Sequence, residues 1–183
     1  MKISIIGTHG IGKSTLAYQI ACAAKERGKN AIVINEVARA SPFPLNEGFD
    51  LNGATWIVTS QINRELDAIA QGVDLIVCDR SSYDPICYLE AADHPIECYQ
   101  KLKWFAEEWL KTYDKVLFVL PSGNELIEDG IRSMDKEYQE TVHGIFWETF
   151  KRIKGKKLSY VQSHRIFDGT ISDVINGLLG MKA

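Results

Sequence analysis

One octet constrains this chain more than any other stretch: Gly7-Thr8-His9-Gly10-Ile11-Gly12-Lys13-Ser14, followed by Thr15. It matches the pattern G-x-x-x-x-G-K-[ST], and it stands between an apolar run at residues 2–6 and an amphipathic helical pattern. Glycines at these positions let the backbone fold around an anion, so that successive N–H groups and the helix N-terminus point at phosphate. In that setting Lys13 bridges the β- and γ-phosphates of a nucleotide, and the Ser14 hydroxyl can ligate Mg²⁺.

The rest of the chain repeats the strand-then-helix alternation. Short apolar runs at 2–6, 31–35, 74–78, 115–120 and 165–167 read as strands, each too uninterrupted to leave one face wet. Helical periodicity fills the intervals, the pattern of a parallel sheet with crossover helices. A first helix runs from Lys13 toward Arg27 with Leu16, Ile20, Ala23 and Ala24 on one face and Gly28 as its stop, and a second covers about 54–71. A third begins at Pro95 and carries a stripe through Tyr99, Leu102, Phe105, Ala106, Trp109 and Tyr113. A fourth, about 135–153, places Tyr138, Val142, Ile145, Phe146 and Phe150 on one face as core, and a last helix follows Asp168-Gly169-Thr170. Segments 37–51 and 121–134 resist assignment; both follow strand ends, where open parallel sheets place their ligand sites.

Composition narrows the classes. The 183 residues, 45% hydrophobic and 25% charged, suit one globular domain over 1–183 with its own core. A net charge of -3 gives no general attraction to nucleic acid or anionic membrane, so neither is expected as a partner. No apolar run approaches a bilayer span, and the amino terminus is too short in apolar residues for a signal peptide; a soluble, cytoplasmic protein is the expectation. Cys22, Cys78, Cys87 and Cys98 show no C-x-x-C pairing and read as reduced, mostly buried thiols. The histidines outside the loop, His94, His143 and His164, form no metal or triad pattern.

Several residues at strand ends can carry chemistry. Asp79 closes the third strand, where it either holds the Mg²⁺ of a nucleotide or caps a turn, and Arg80 next to it is suited to neutralising phosphate through two N–H groups. Glu36 ends strand two as a general base or as a solvated loop residue; Arg39 meets a substrate phosphate or a surface carboxylate. On the second helix Trp56, Ile57, Gln61 and Arg64 can share a surface on which Gln61 reads a nucleobase or amide edge beside the flat face of Trp56. The alternative puts Trp56 in the core and Gln61 in solvent. Arg132, in a segment between strand four and the next helix, could close over a transferring phosphoryl group.

Together these residues resemble the P-loop kinases of small molecules, the group that holds deoxynucleoside kinases, thymidylate kinase and the ribosylnicotinamide kinase domain. The likeness covers nearly the whole chain. Residues 7–15 match the phosphate loop, with Gly7, Thr8, His9, Gly10, Ile11, Gly12, Lys13, Ser14 and Thr15 as nucleotide contacts; Asp79-Arg80-Ser81 looks like the Glu-Arg-Ser of deoxynucleoside kinases. Glu36 matches their strand-two base, Gln61 the residue that hydrogen-bonds the base, and Arg132 the lid arginine within about 121–134; Gly169 and Thr170 match the loop that contacts adenine. The resemblance implies a three-layer α/β fold with a five-stranded parallel sheet of order 2-3-1-4-5 and helices on both faces. It also implies ATP and Mg²⁺ as cofactors, and transfer of the γ-phosphate to a nucleoside, nucleotide or similar acceptor. The chain departs from deoxynucleoside kinases in following Glu36 with Val37-Ala38-Arg39 instead of Pro and in carrying one lid arginine, so the acceptor stays open, as does the oligomeric state, a homodimer among the options. The competing reading is a P-loop ATPase or regulatory switch without a small acceptor; a third is a nucleotide-binding module of a larger complex, which intact Lys13, Ser14 and Asp79 argue against. A GTPase would show Asn-Lys-x-Asp, and Asp-x-x-Gly after strand three, neither of which is present, and an AAA-type motor would need an extra helical domain for which the chain is too short.

Overall fold

The computed structural model describes residues 1–45, 48–122, 136–151 and 158–180. Five strands, β1 (Lys2–Ile6), β2 (Ala31–Ile34), β3 (Leu75–Asp79), β4 (Lys115–Leu120) and β5 (Leu158–Gln162), form one parallel sheet in the order β2-β3-β1-β4-β5. The helices are α1 (Lys13–Glu26), α2 (Leu51–Ala70), α3 (Asp84–Ala91), α4 (Ile96–Leu110), α5 (Lys136–Lys151), α6 (Ser163–Phe167) and α7 (Ser172–Leu178), with a 3₁₀ turn at Val37–Ala40.

Two hydrophobic clusters explain the layering. Alternate strand residues face α1 and α7 on one side, where Ile3, Ile5, Leu75, Val77, Leu117 and Val119 meet Leu16, Ile20 and Ile175. The opposite face takes Ile6, Ile34, Ile76, Cys78, Val116 and Phe118 against α2, α3, α4 and α5. β1 and β3 are buried along their whole length, as expected of strands with helices on both faces.

Register then sets the site. Ile5 pairs with Asp79 and Ile34 with Cys78, so the loop after β1, the end of β3 and the turn after β2 emerge side by side at one edge of the sheet. α2 starts earlier than its periodicity alone suggests because Asp50 caps it, accepting from the backbone N–H groups of Asn52 and Gly53 at 3.0 Å each.

Four sequence expectations need correction. The fifth strand lies at Leu158–Gln162, not 165–167, which belongs to α6. Among the described residues β5 pairs only with β4, and within the strand only Val161 is buried, so as an edge strand it lacks a continuous apolar run. The stripe of α4 runs through Tyr99, Leu102, Ala106 and Trp109, while Phe105 is 41% exposed, one helical step off that face, and Tyr113 is buried beyond the helix end. α3 has no counterpart in the periodicity reading; its eight residues give barely two turns of pattern. Finally Cys22 and Cys98 are exposed, with Cys78 and Cys87 buried.

Candidate active site

The phosphate-type loop has the backbone its glycines require. Gly7, Gly10 and Gly12 all have positive φ, and a Cβ on Gly7 would stand 2.7 Å from the carbonyl oxygen of Val119. Gly12 ends the loop and opens α1, and a Cβ there would meet the ring of Phe167 at 2.8 Å. Lys13 turns its ammonium back onto the carbonyl of Thr8 and is nearly buried. Burial, reinforced by the nearby positive charge of Arg80, outweighs the acidic neighbours and lowers its pKa to about 7. An amine held so close to neutrality inside a glycine cradle is matched to an arriving polyanion, whose charge would restore the proton.

Beside it the Ser14 hydroxyl donates to Asp79 Oδ2 at 2.5 Å, with Asp79 3% exposed. A hydroxyl and a carboxylate oxygen in contact at the mouth of such a loop are the hard oxygen donors that Mg²⁺ takes together with phosphate oxygens. The two residues thus fit the metal that the loop implies.

Arg80 has φ +93, an uncommon conformation for a residue with a side chain. It is held there from several directions. Its backbone N–H donates to Ile5 O at 2.9 Å, its Nε donates to Glu36 Oε1 at 2.5 Å, and Nη1 reaches Asp84 Oδ2 and the Tyr88 hydroxyl at 3.3 Å each. Asp84 in turn accepts from the backbone and hydroxyl of Ser81 at 2.8 and 2.6 Å, tying the start of α3 to the end of β3. Glu36 also accepts from Arg39 Nε at 3.0 Å. Burial alone would raise the Glu36 pKa, but Arg80 and Lys13 overcome it and bring it down to about 2. Glu36 is therefore an ionised hydrogen-bond acceptor across the neutral range and a weak proton acceptor.

A cleft partly open to solvent lies against these groups. Glu36, Arg80, Asp84, His9 and Gln61 supply its polar wall, and Val37, Leu45, Phe49, Ile57, Pro85 and Tyr88 much of its apolar one. The structure thus brings Glu36, Gln61 and Arg80 to one cavity. Gln61 is 2% exposed, which removes the alternative of a solvated Gln61. Trp56 is not among the residues lining the cleft and packs on the core, and Arg64, on the far side of the turn, is exposed. Arg39 is not among the residues lining the cleft; its side chain is 39% exposed and paired with Glu36. Gly169 and Thr170 are exposed in the turn after α6, where Thr170 donates to Asp168. Arg132 and most of the expected lid, 123–134, lie outside the described residues.

Sequence reasoning passed over Asp84 and Tyr88, which hold the Arg80 fork, and Phe49 in the cleft wall. Asp84-Pro85 three residues after Ser81 is a helix-start signal that could have located the first. His9, read as filler in the loop, is 4% exposed and borders the cleft.

Comparison with known proteins agrees with the fold. Residues 2–163 match the family described as AAA domain (AAA_28). The chain is 24% identical over 158 residues to the GTPase Der of Leifsonia xyli subsp. xyli, covering 80% of this chain; it spans about 30% of the length of that curated relative. Among solved structures it superposes on deoxyadenosine kinase from M. mycoides with the products dCMP and a flexible dCDP bound, at TM-score 0.72 and 21% identity over 99% of this chain and 100% of that one. The same enzyme with bound dATP gives TM-score 0.70 and 20% identity over 98% and 100% of the two chains. No described helix is long and apolar enough to cross a membrane.

Proposed function

We propose that this chain, which belongs to the AAA domain family, is an ATP-dependent phosphotransferase that moves the γ-phosphate to a hydroxyl of an uncharged nucleoside, acting as a single domain. The observation that carries the proposal is the Glu36–Arg80 ion pair in the wall of a mostly apolar cleft next to Lys13 and the Ser14–Asp79 contact. A nucleotide-hydrolysing switch needs the loop and the metal ligands; it has no need of a second, mostly apolar chamber beside them. The fold shared with deoxyadenosine kinase supports the same reading.

Charge favours a nucleoside over a nucleotide as acceptor. Arg80 is already committed to Glu36 and Asp84, and Arg39 to Glu36, so the polar wall is close to internally neutral. An acceptor phosphate dianion would add two charges to that wall while the transferring phosphate already draws on Arg80, a cost that a neutral hydroxyl avoids.

Lys13, the loop N–H groups and Arg80 would hold and neutralise the phosphates, and Ser14 with Asp79 would hold Mg²⁺, which when bound neutralises charge on the β- and γ-phosphate oxygens. Glu36 accepts a hydrogen bond from the acceptor hydroxyl and orients it. Because phosphoryl transfer passes through a loose transition state, the hydroxyl proton leaves late and a weak base suffices. Gln61 meets the base edge. Gly169 and Thr170 remain candidates for the adenine side, and Arg132 for closure.

The second reading, an ATPase switch without a small acceptor, draws on the AAA domain match and on the likeness to GTPase Der. One assay separates the two: ATP turnover by the full chain with Mg²⁺, alone and with a panel of nucleosides and nucleoside monophosphates. Strong stimulation by a nucleoside with formation of its monophosphate supports the kinase; turnover indifferent to every acceptor supports the switch.

A further inference from the structure

Gln61 does not stand alone in the cleft wall. One turn along α2, Glu65 is fully buried, and its carboxylate accepts four hydrogen bonds. Oε2 takes the Lys2 ammonium at 2.6 Å and the Trp109 indole N–H at 2.7 Å. Oε1 takes the Tyr113 hydroxyl at 2.5 Å and Gln61 Nε2 at 2.9 Å. The polarity of this network is fixed at its ends: Lys2 and Trp109 can only donate, and Ser82 N–H donates to the Tyr113 oxygen at 3.3 Å, leaving the tyrosine proton for Glu65. Two acceptances per oxygen fill the lone pairs of the carboxylate.

An amide oxygen turned toward Glu65 would therefore face a saturated, negatively charged acceptor. The Gln61 amide cannot rotate by half a turn, an ambiguity that shape alone leaves open for glutamine and that partners resolve. With one N–H given to Glu65, the carbonyl oxygen and the second N–H are left for the cleft, in a single donor and acceptor order.

We propose that Glu65 is a positioning residue for specificity: it locks the Gln61 amide so that the site accepts base edges of one hydrogen-bonding order and rejects the reverse. The inference rests on the nucleoside reading above. Amino-type edges, as in deoxyadenosine and deoxycytidine, place an exocyclic donor beside a ring-nitrogen acceptor; keto-type edges, as in thymidine and deoxyguanosine, place an exocyclic acceptor beside a ring N–H. A rotatable amide serves both classes, and a locked one serves the class that its order complements.

The test is calorimetric binding of those four nucleosides to the full-length wild type and variants, with thermal melts of each. Wild type is expected to prefer one class by about tenfold or more, the scale of a two-hydrogen-bond mismatch. Glu65→Gln should reverse the preference, because Lys2 and Trp109 hold its amide oxygen at the Oε2 position and its NH₂ then takes the Gln61 carbonyl; Gln61→Leu should bring the classes to near equality, and the double variant should match Gln61→Leu. Lys2→Met and Trp109→Phe remove donors from Oε2 but leave the Gln61 bond, so they should lower the melting temperature and keep the preference. Should Glu65→Gln fail to fold, the paired change Lys2→Met with Glu65→Leu replaces the buried ion pair by apolar groups and frees the Gln61 amide, so that the two classes become nearly equal. A wild type without class preference, a preference retained in the Glu65 variants, or one lost equally in the Oε2 controls overturns the proposal while nucleoside binding stands. No binding of any nucleoside to wild type overturns the nucleoside reading and this inference together.

Discussion

At the scale of single residues, charge balance around Lys13 and Arg80 makes the sharpest demands. Lys13 has its folded pKa lowered to about 7, so between about 7 and its ordinary value near 10.5 the unfolded chain binds more protons than the folded one. Stability from this group consequently rises with pH across that window. A bound phosphate restores the proton, so nucleotide binding at pH 8.5 should take up close to one proton, and affinity should weaken as pH rises from 7 to 9. Calorimetry in buffers of different ionisation enthalpy measures the uptake; binding with none would contradict the placement of Lys13 at phosphate. Lys13→Met should abolish turnover without lowering the melting temperature, since it removes a buried amine and keeps the stem. Arg80→Lys should lower kcat by roughly tenfold to a hundredfold, because a single ammonium cannot serve Glu36, Asp84 and a phosphate at once. A kcat within twofold of wild type would remove Arg80 from the proposed chemistry.

The elements of the fold differ in how plainly their sequences announce them. β1 and the loop after it were legible because every residue of Lys2–Ile6 is buried and the glycine spacing answers to one backbone shape. β5 was not, because a strand paired on one side needs only Val161 in the core and is free to be polar elsewhere. In the site, Asp79-Arg80 could be read from its strand end, but the left-handed conformation of Arg80 could not. That conformation depends on Ile5, Glu36 and Asp84, brought from three other segments. Likewise the Gln61–Glu65 spacing is visible on α2, whereas Lys2, Trp109 and Tyr113 are recruited from 44 to 63 residues away in sequence. The loop itself offers an element-level prediction. Gly7→Ala places a Cβ against the Val119 carbonyl at a φ of +133, so it should destabilise the chain by about 2 kcal/mol or more and shift the β1–β4 edge of the site. A melting temperature equal to wild type would mean that the loop adopts another path.

Across the whole molecule, three sequence-distant strand ends share one cleft because the sheet order sets β3 between β2 and β1. Glu36 links that architecture to stability. Its pKa is lowered to about 2, so the stabilisation it supplies is complete above its ordinary value near 4.5 and is lost as pH falls from there toward 2. Glu36→Gln should flatten acid unfolding in that window while lowering kcat at neutral pH, and denaturant melts from pH 5 to 3 would register the first effect. The central claim, however, is that the second chamber exists to hold an uncharged hydroxyl acceptor. Its most direct measurement is phosphate transfer from γ-labelled ATP by the full chain in the presence of Mg²⁺ and the nucleoside panel, with product resolved from inorganic phosphate. Label is expected in a nucleoside monophosphate, with little free phosphate in the absence of an acceptor and loss of transfer in Glu36→Gln. Label appearing only as inorganic phosphate, at a rate that no acceptor changes, would contradict it.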